Sequence, residues 1–494
     1  MRRGNGGRIL VVFNAVYPLE IDKHFIWRSD MLKGTSRVGI ILCALVLTAA
    51  LIFSGCNRGG QSSTTTSVSS SGPNLRGSTV QIGHWWGAWD TETVTPRTED
   101  EELQNEFRKK IQSDNGMTIR EVEISNWDDM LPNTTTRIMS GNKEISAYYL
   151  APDWAYTLYK QGLLFPLSDS SVDITNNVPI AGQKTAYNAM IAGLFTFGGK
   201  QYGLSPGLGG GSWQGAGVYW NKRIFREAGL DPDLPYNLQR DGTWTWDAFV
   251  DICRQLTRDI NNDGITDVYA GTVDHQQETL MMLVLSNNAN FVDRDPVTGR
   301  FTNGTNTPGF IEALQFYKRL MDEGYLKPIP PGSPAWDWYA TEFHDGLIGF
   351  MLDAEWRRGG LGDMVDDFGW VFPPKGPRAT QYRMGTSENV LVVPSIFSKD
   401  EVDVILTGVD LWNVPITLEW KSGSYPFFRD RRAVDETMTM MQDARYMTFR
   451  NNMMIPGLNT GDFAWAIKDI QGDPAQLVEQ HAQNWNALIE EANR

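Results

Sequence analysis

The stretch YWNKRIFREAGLDPDLPYNLQRDGTWTWDAFVDICRQLT at residues 219–257 predicts the end of a strand followed by two helices. A short helix is expected over residues 222–228, and Gly229 can end it because glycine readily adopts the left-handed cap conformation. A polar loop containing Pro232 and Pro235 follows. Thr245 then suits the N-cap of a second helix, whose apolar face would be formed by Trp246, Phe249, Val250, Cys253 and Leu256. Nothing in this stretch indicates catalytic chemistry.

The chain before this stretch alternates between strand and helix signals. Strands are predicted near residues 80–84, 119–124 and 145–150. The first intervening helix would begin at a capping box formed by Thr98 and Glu101, with an apolar stripe of Leu103, Phe107 and Ile111, and the second would cover residues 128–140. This β-α-β-α-β order predicts a parallel sheet with helices on both faces.

Two later segments add to the pattern. Residues 343–360 read FHDGLIGFMLDAEWRRGG, and residues 367–377 read DFGWVFPPKGP. Together with residues 219–257, and in the same order, they resemble the motifs of extracellular solute-binding proteins of family 1, the sugar-capturing components of ABC importers. The resemblance covers about residues 80 to 420 and weakens towards the C-terminus.

The resemblance implies an α/β fold of the periplasmic-binding-protein type, in which a hinge joins two α/β lobes and the ligand cleft lies between them. Three crossings between the lobes are expected near residues 203, 385 and 450. The first lobe would then comprise residues 79–203 and 386–450, and the second lobe residues 204–385 and 451–494.

The N-terminal part predicts export. Residues 31–56, MLKGTSRVGIILCALVLTAALIFSGC, have a basic start and an apolar run that ends just before Cys56. This pattern resembles a bacterial lipoprotein signal, cut before Cys56 so that the cysteine can carry lipid. An uncleaved membrane anchor is the alternative, and residues 1–30 would be an over-extended gene start or a long n-region. The Ser/Thr/Gly-rich residues 57–78 would form a flexible tether, which places the body outside the cytoplasm on a lipid anchor.

Charge and composition exclude several classes of function. The chain has 44 basic and 59 acidic residues and a net charge of −15, which argues against binding to nucleic acid. Only Cys253 lies in the body, so a disulfide framework and a cysteine zinc site are excluded. The string Gly203 to Gly207, GLSPG, matches a hydrolase nucleophile motif, but Pro206 lacks the backbone N–H that an oxyanion hole would need. We therefore predict a protein that is not an enzyme and needs no cofactor for its function.

One loop is a candidate calcium site. Its ligands would be side-chain oxygens and one backbone carbonyl, from Asp259, Asn261, Asp263, Ile265 (carbonyl) and Asp267, with Gly264 at the turn. The twelfth position of the loop is Ala270, so the usual bidentate glutamate is absent. A structural calcium ion and a simple turn of Asn and Asp residues are both compatible with this sequence.

Aromatic residues carry the functional hypothesis. A tryptophan ring can stack on the flat C–H face of a sugar, while carboxylates and amides bind the hydroxyl groups. Candidates come from predicted strand ends, where ligands sit in such sheets, and from loops that match the family: Trp85, Trp86, Asp153, Trp154, Trp220, Glu355, Trp356, Glu388 and Trp465. Core packing is the alternative for any one of these tryptophans.

These features predict a lipid-anchored, monomeric binding protein that closes over a carbohydrate, expected to be an oligosaccharide, and passes it to an ABC permease. Hinge closure would supply the affinity, because only the closed form contacts the ligand from both lobes. Three alternatives share these features: a binding protein for a peptide or polyol, an exported carbohydrate-active enzyme, and a sensor that signals to a membrane kinase.

Overall fold

A computed structural model describes residues 72–174, 187–206, 214–273, 277–332, 335–386, 388–414 and 420–494. Residues Ser70–Arg494 form a compact unit of their own. The predicted signal, the predicted lipidation site Cys56 and most of the tether lie outside the described residues. Within the described ranges, no helix is both long and apolar enough to cross a membrane.

The strands are short. They are β1 Thr79–His84, β2 Thr118–Glu123, β3 Ala147–Leu150, β4 Thr196–Phe197, β5 Lys200–Gln201, β6 Ala216–Asn221, β7 Gly271–Thr272, β8 Val292–Arg294, β9 Phe301–Asn303, β10 Leu326–Lys327, β11 Phe350–Ala354, β12 Phe368–Val371, β13 Met384–Thr386, β14 Val390–Val392 and β15 Met447–Phe449.

The α-helices range from a single turn to five turns. They are α1 Glu99–Asn115, α2 Trp127–Met139, α3 Pro152–Lys160, α4 Ala189–Leu194, α5 Lys222–Glu227, α6 Leu234–Arg240, α7 Trp246–Leu256, α8 Glu278–Ser286, α9 Pro308–Asp322, α10 Trp338–His344, α11 Lys399–Trp412, α12 Trp420–Ser424, α13 Thr439–Met441, α14 Gly461–Ala464 and α15 Ala475–Ala492.

The first sheet has four strands in the order β14-β3-β1-β2. β1 is parallel to both β2 and β3, while β14 returns antiparallel to β3. The helices α1 and α2 connect the three parallel strands, so the predicted β-α-β-α-β unit is confirmed. The carboxyl ends of β1, β2 and β3 consequently meet at one edge of the sheet.

The second sheet has three antiparallel strands in the order β11-β6-β12. β6 is its central strand, and all six of its residues are buried. The helices predicted next to it are confirmed: Asn221 caps α5, and the Thr245 hydroxyl accepts a hydrogen bond from the N–H of Ala248 at the start of α7. The prediction of a polar loop was wrong here, because Pro235 lies in the first turn of α6. Proline is tolerated in that turn, since its missing backbone N–H would have no partner within the helix.

The buried face of α1 differs from the prediction. Leu103 was expected in the apolar stripe but is 53% exposed. The buried residue of this helix is Asn105, and the Arg108 guanidinium lies 3.9 Å from the ring centroid of Trp412. The Thr98 hydroxyl does cap the helix, whereas the Glu101 carboxylate accepts from the N–H of Arg97 and so does not complete the capping box.

The chain passes between the two sheets along neighbouring segments. Leu204 bridges to Leu391 beside the first sheet, and Gly215, which precedes β6, bridges to Thr386. β13 pairs in parallel with β15, which brings a third segment alongside. We call residues 214–215 the crossing segment. The lobe boundaries stay predictions.

Candidate functional site

Tryptophans from three different elements meet at the carboxyl edge of the first sheet. The ring of Trp85 lies 4.7 Å from Trp86, 5.0 Å from Trp127 and 5.3 Å from Trp154, between ring centroids. Trp86 also lies 5.6 Å from Tyr149. We call these five residues the aromatic cluster. It unites three of the predicted site residues, Trp85, Trp86 and Trp154.

Trp127 is a member of the cluster that was not predicted from the sequence. It is the first residue of α2 and lies shortly after the end of β2, whereas Trp85 directly follows β1. Because β1 and β2 are parallel neighbours, residues just beyond their carboxyl ends come close together. The position of Trp127 soon after a predicted strand was therefore the sequence signal that could have identified it.

The cluster has an exposed side and a buried side. Trp86 and Trp127 are 42% and 50% exposed, whereas Trp154 and Tyr149 are only 9% and 8% exposed. A contiguous exposed apolar patch often marks a site of interaction on a protein surface. The exposed rings therefore offer apolar faces to a ligand, and the buried rings hold them in place.

A buried polar network supports the underside of Trp86. The ring of His84 stacks on Trp86 at 4.1 Å, and its Nε2 lies 3.4 Å from a carboxylate oxygen of Glu121. The indole N–H of Trp412 donates to the other carboxylate oxygen at 2.7 Å. Burial alone would raise the pKa of Glu121, but these hydrogen bonds and the nearby charge of Arg108 lower it overall. The charged carboxylate thus orients the imidazole on which Trp86 rests.

Asp153 lies beside the cluster, in the first turn of α3 and next to Trp154. Burial raises the pKa of its carboxyl to about 6, against the opposing effect of the backbone N–H of Trp154. Asp153 is therefore charged at neutral pH and becomes protonated under mildly acidic conditions. As a carboxylate it can accept hydrogen bonds from hydroxyl groups.

Two predicted acidic residues contact the crossing segment, one through its side chain and one through its backbone. Gln214 donates its backbone N–H to Glu388 at 3.2 Å, and the backbone N–H of Glu355 donates to the carbonyl of Gly215 at 2.8 Å. Glu388 also affects the cluster: burial raises the pKa of the Tyr149 hydroxyl, and the charge of Glu388 adds to that rise. The crossing segment therefore holds the carboxylate of Glu388 and the backbone of Glu355.

A second pair of exposed tryptophans combines Trp356, which follows β11, with Trp336, which precedes α10. The guanidinium of Arg357 lies 4.6 Å from the ring of Trp356 and 5.0 Å from that of Trp336. These rings are 48% and 54% exposed, whereas the Arg357 side chain is buried and bonded to Asp353 at 2.8 Å. We call Trp336 and Trp356 the second aromatic pair. Next to it, the Glu355 carboxylate forms an ion pair with Arg358.

The prediction for Trp220 is corrected. Its side chain is fully buried, its indole N–H donates to the carbonyl of Pro232 at 2.8 Å, and its ring packs 4.5 Å from Tyr236. It therefore fills the core beneath β6 and presents no surface to a ligand. Trp465 is 48% exposed at the end of α14, where its ring packs against Gly461. A role for Trp465 in binding stays a prediction.

The candidate calcium loop is held by hydrogen bonds to its own backbone. A carboxylate oxygen of Asp259 accepts from the N–H of Gly264 at 2.8 Å, and one of Asp267 accepts from Ile260 at 2.7 Å. The side-chain oxygen of Asn261 accepts from the N–H of Asp263 at 2.8 Å. Within the described ranges, no group of three or more His, Cys, Asp or Glu side chains is placed to hold a metal ion. Carboxylates retain further lone pairs beyond these bonds, and calcium binding stays a prediction.

Comparison with known proteins gives a consistent family and fold. Residues 106–418 match the family described as bacterial extracellular solute-binding protein. A binding protein of Brucella abortus (strain 2308) is 24% identical over 319 residues, which span 61% of this chain and 66% of the relative. That alignment therefore covers slightly less than two thirds of the relative's length.

Two solved structures share the architecture. UgpB from Mycobacterium tuberculosis in complex with glycerophosphocholine has a TM-score of 0.59 and 14% identity, covering 83% of this chain and 98% of that one. The cyclic alpha-maltosyl-1,6-maltose binding protein from Arthrobacter globiformis has a TM-score of 0.58 and 17% identity, covering 84% and 99%. At these identities the likeness shows the fold, and the predicted periplasmic-binding-protein-like α/β architecture is confirmed.

Proposed function

The chain belongs to the bacterial extracellular solute-binding protein family, and on that premise we propose that it captures an oligosaccharide and delivers it to the permease of an ABC importer. The family implies a site of action outside the cytoplasm. The observation that carries the choice of ligand is the aromatic cluster, in which Trp86 and Trp127 expose large ring faces over a rigid support.

The chemistry of the surrounding groups suits a sugar. Apolar C–H faces can stack on the exposed rings, and the hydroxyl groups around them need acceptors such as carboxylates. Asp153 beside the cluster would supply one such acceptor, and Glu388, whose carboxylate accepts from the N–H of Gln214, would supply another. A ligand that spans several sugar rings could reach more than one aromatic surface, which favours an oligosaccharide over a monosaccharide.

The proposed mechanism is closure of the protein around its ligand. The second aromatic pair and Glu355 would approach the ligand from the side opposite the aromatic cluster. A ligand that touches both sides stabilises the closed form by its differential affinity for that form. Since members of the family bind solutes, no bond of the ligand is made or broken in this proposal.

The aromatic cluster also supports a second candidate ligand. Several tryptophan rings around one site can enclose a quaternary ammonium group through cation–π attraction. The acidic Asp153 next to Trp154 would add a favourable charge. A solute carrying a choline group is therefore the alternative, and it is the chemical class held by the glycerophosphocholine-bound UgpB structure.

Three further properties complete the proposal. Cys56 would carry the lipid anchor, the loop from Asp259 to Asp267 would bind a structural calcium ion, and the protein would act as a monomer without a catalytic cofactor. These three rest on the sequence pattern alone.

A thermal-shift screen of the compact unit Ser70–Arg494 tests the proposed ligand. Oligosaccharides, monosaccharides and glycerophosphocholine would be added separately, and the spent ligand analysed by thin-layer chromatography. Ligands that bind the folded state raise the melting temperature. We expect the largest rise with an oligosaccharide that is recovered intact. A rise with glycerophosphocholine alone would favour the choline candidate, and cleaved sugar would favour an enzyme.

A further inference from the structure

A polar cavity of about 320 Å³ is lined by none of the residues of the aromatic cluster or the second aromatic pair. Three segments of the chain form it: the end of α8, the residues that lead into β13, and the residues around β15. Its polar lining residues are Asn288, Thr380, Gln381, Arg383, Arg445 and Thr448. The side-chain amide of Gln381 donates to the carbonyl of Arg445 at 2.7 Å, so two of the walls are joined directly.

Arg383 carries the charge of this cavity. Its Nε donates to the Thr448 hydroxyl at 3.1 Å and its Nη1 donates to the Asn288 side-chain oxygen at 2.9 Å. Both acceptors are neutral. Of the carboxylates in the described part of the chain, none forms an ion pair with Arg383, and the nearby Asp293 acts on it only through its charge. Burial lowers the pKa of Arg383, which reflects the cost of removing its charge from water without a partner.

The second arginine of the lining is already neutralised. Arg445 bonds through its Nε to both carboxylate oxygens of Asp443, at 2.8 and 3.0 Å, and its side chain is 75% exposed. The positive charge that lacks a partner is therefore that of Arg383. Two neutral acceptors hold the Arg383 guanidinium, and its third nitrogen is still available. It can therefore donate hydrogen bonds to an oxyanion such as phosphate.

We propose that this cavity binds a phosphate group, either as free phosphate or as a small phosphate monoester. Arg383 supplies the charged hydrogen bonds, and the hydroxyl groups of Thr380 and Thr448 and the amide of Gln381 supply neutral ones. The volume exceeds that of a phosphate ion, so a short organic group can accompany it. This site goes beyond the proposed capture of a sugar and uses none of its residues.

The position of the cavity gives the site a consequence. Arg383 immediately precedes β13, and Thr448 lies within β15, where it is the register partner of Gly385. These strands belong to the segments along which the chain passes between the two sheets. A phosphate held by both residues would tie β13 to β15 and stiffen this connection, so phosphate would change the energy of closure around the main ligand.

Isothermal titration of the compact unit Ser70–Arg494 with inorganic phosphate, at constant ionic strength and without sugar, tests the proposal. We expect saturable binding with a Kd of roughly 1 mM or tighter, and at least about a tenfold weakening in Arg383→Gln. Arg378→Gln is the matched control, because Arg378 pairs with Glu312 outside the cavity. The control should bind phosphate within about twofold of the unaltered protein.

A second variant and a second ligand complete the test. Thr448→Val removes one neutral hydrogen bond without changing the charge, and we expect it to weaken the binding of phosphate several-fold. This variant keeps the proposal testable if Arg383→Gln fails to fold. Glycerol 3-phosphate in place of inorganic phosphate distinguishes the two sources, with tighter binding of the ester identifying a monoester as the ligand. Absence of saturable binding of either ligand would overturn the proposal. Equal phosphate affinity of Arg378→Gln and Arg383→Gln, or an unchanged affinity in Thr448→Val, would also overturn it.

Discussion

The rings of Trp127 and Trp154 lie 4.3 Å apart, although one residue begins α2 after β2 and the other belongs to α3 after β3. Trp154 is buried and Trp127 is half exposed, so the first supports the second at the edge of the sheet. The contact makes Trp127 part of one continuous aromatic surface with Trp85 and Trp86.

Replacing Trp127 with alanine should weaken ligand binding more than it affects folding. Loss of one stacking face costs about 1 kcal/mol, which corresponds to roughly a fivefold rise in Kd. The melting temperature should change little because the ring is 50% exposed. Isothermal titration with the sugar found in the screen measures the effect. Leu103→Ala, another exposed apolar residue, is the control, and equal affinities of the two variants would contradict the stacking role.

The affinity for a hydroxylated ligand should fall as the pH falls through 6. The pKa of Asp153 is raised to about 6, so its carboxylate is charged at pH 7.5 and mostly protonated at pH 5. Hydroxyl groups donate more strongly to the charged form, and we expect up to about a tenfold weaker Kd at pH 5. Asp153→Asn should bind weakly at both values. If the affinity of Asp153→Asn still depends on pH as strongly as that of the unaltered protein, another titrating group is responsible.

The same carboxyl group should reduce stability as the pH rises. Its folded pKa of about 6 exceeds the ordinary value of 3.8, so between these values the folded state holds more protons than the unfolded state. The contribution of Asp153 to stability is therefore full below the lower value and is lost as the pH rises through the higher one. Urea unfolding at pH 4 and pH 7 measures it. Between pH 4 and pH 7 the free energy of unfolding should fall more in the unaltered protein than in Asp153→Asn. An equal change in both proteins would contradict a raised pKa of Asp153.

Trp220→Ala should damage the fold and not the binding chemistry. The side chain is fully buried and its indole N–H is bonded to Pro232, so truncation leaves a large cavity. We expect a loss of about 3–5 kcal/mol in the free energy of unfolding. Denaturant unfolding followed by circular dichroism measures the change. A stable variant with specifically reduced ligand affinity would return Trp220 to the binding site.

Calcium should raise the melting temperature of the protein if the loop from Asp259 to Asp267 binds the ion. A ligand that binds only the folded state stabilises it, and EDTA should reverse the rise. Asp263→Ala removes a predicted ligand and should abolish the effect, whereas Asp322→Ala, on the exposed side of α9, should not. An equal response of both variants would assign the stabilisation to another part of the chain.

The sequence predicted those features that depend on local spacing. The helices α5 and α7 followed from apolar periodicity and capping residues, and three members of the aromatic cluster followed from their position after predicted strands. Trp127 was missed because it begins a helix. Its closeness to Trp154 depends on how the segments that follow β2 and β3 are placed next to each other.

Other features depend on contacts between distant parts of the chain. Trp220 was placed in the site because its strand end suggested exposure, yet β6 is the centre of its sheet and α6 covers the ring through Tyr236. The cavity at Arg383 combines residues from three segments that no local pattern connects. Such burial and convergence are properties of tertiary packing, which periodicity does not report.

Capture of an intact oligosaccharide by the aromatic cluster can be measured by isothermal titration of the compact unit with the oligosaccharide that gives the largest thermal shift, followed by chromatography of that ligand. We expect saturable binding, recovery of the intact sugar, and a loss of at least about tenfold in affinity when Trp86 and Trp127 are both replaced with alanine. Full affinity in that double variant, or a sugar recovered in fragments, would contradict it.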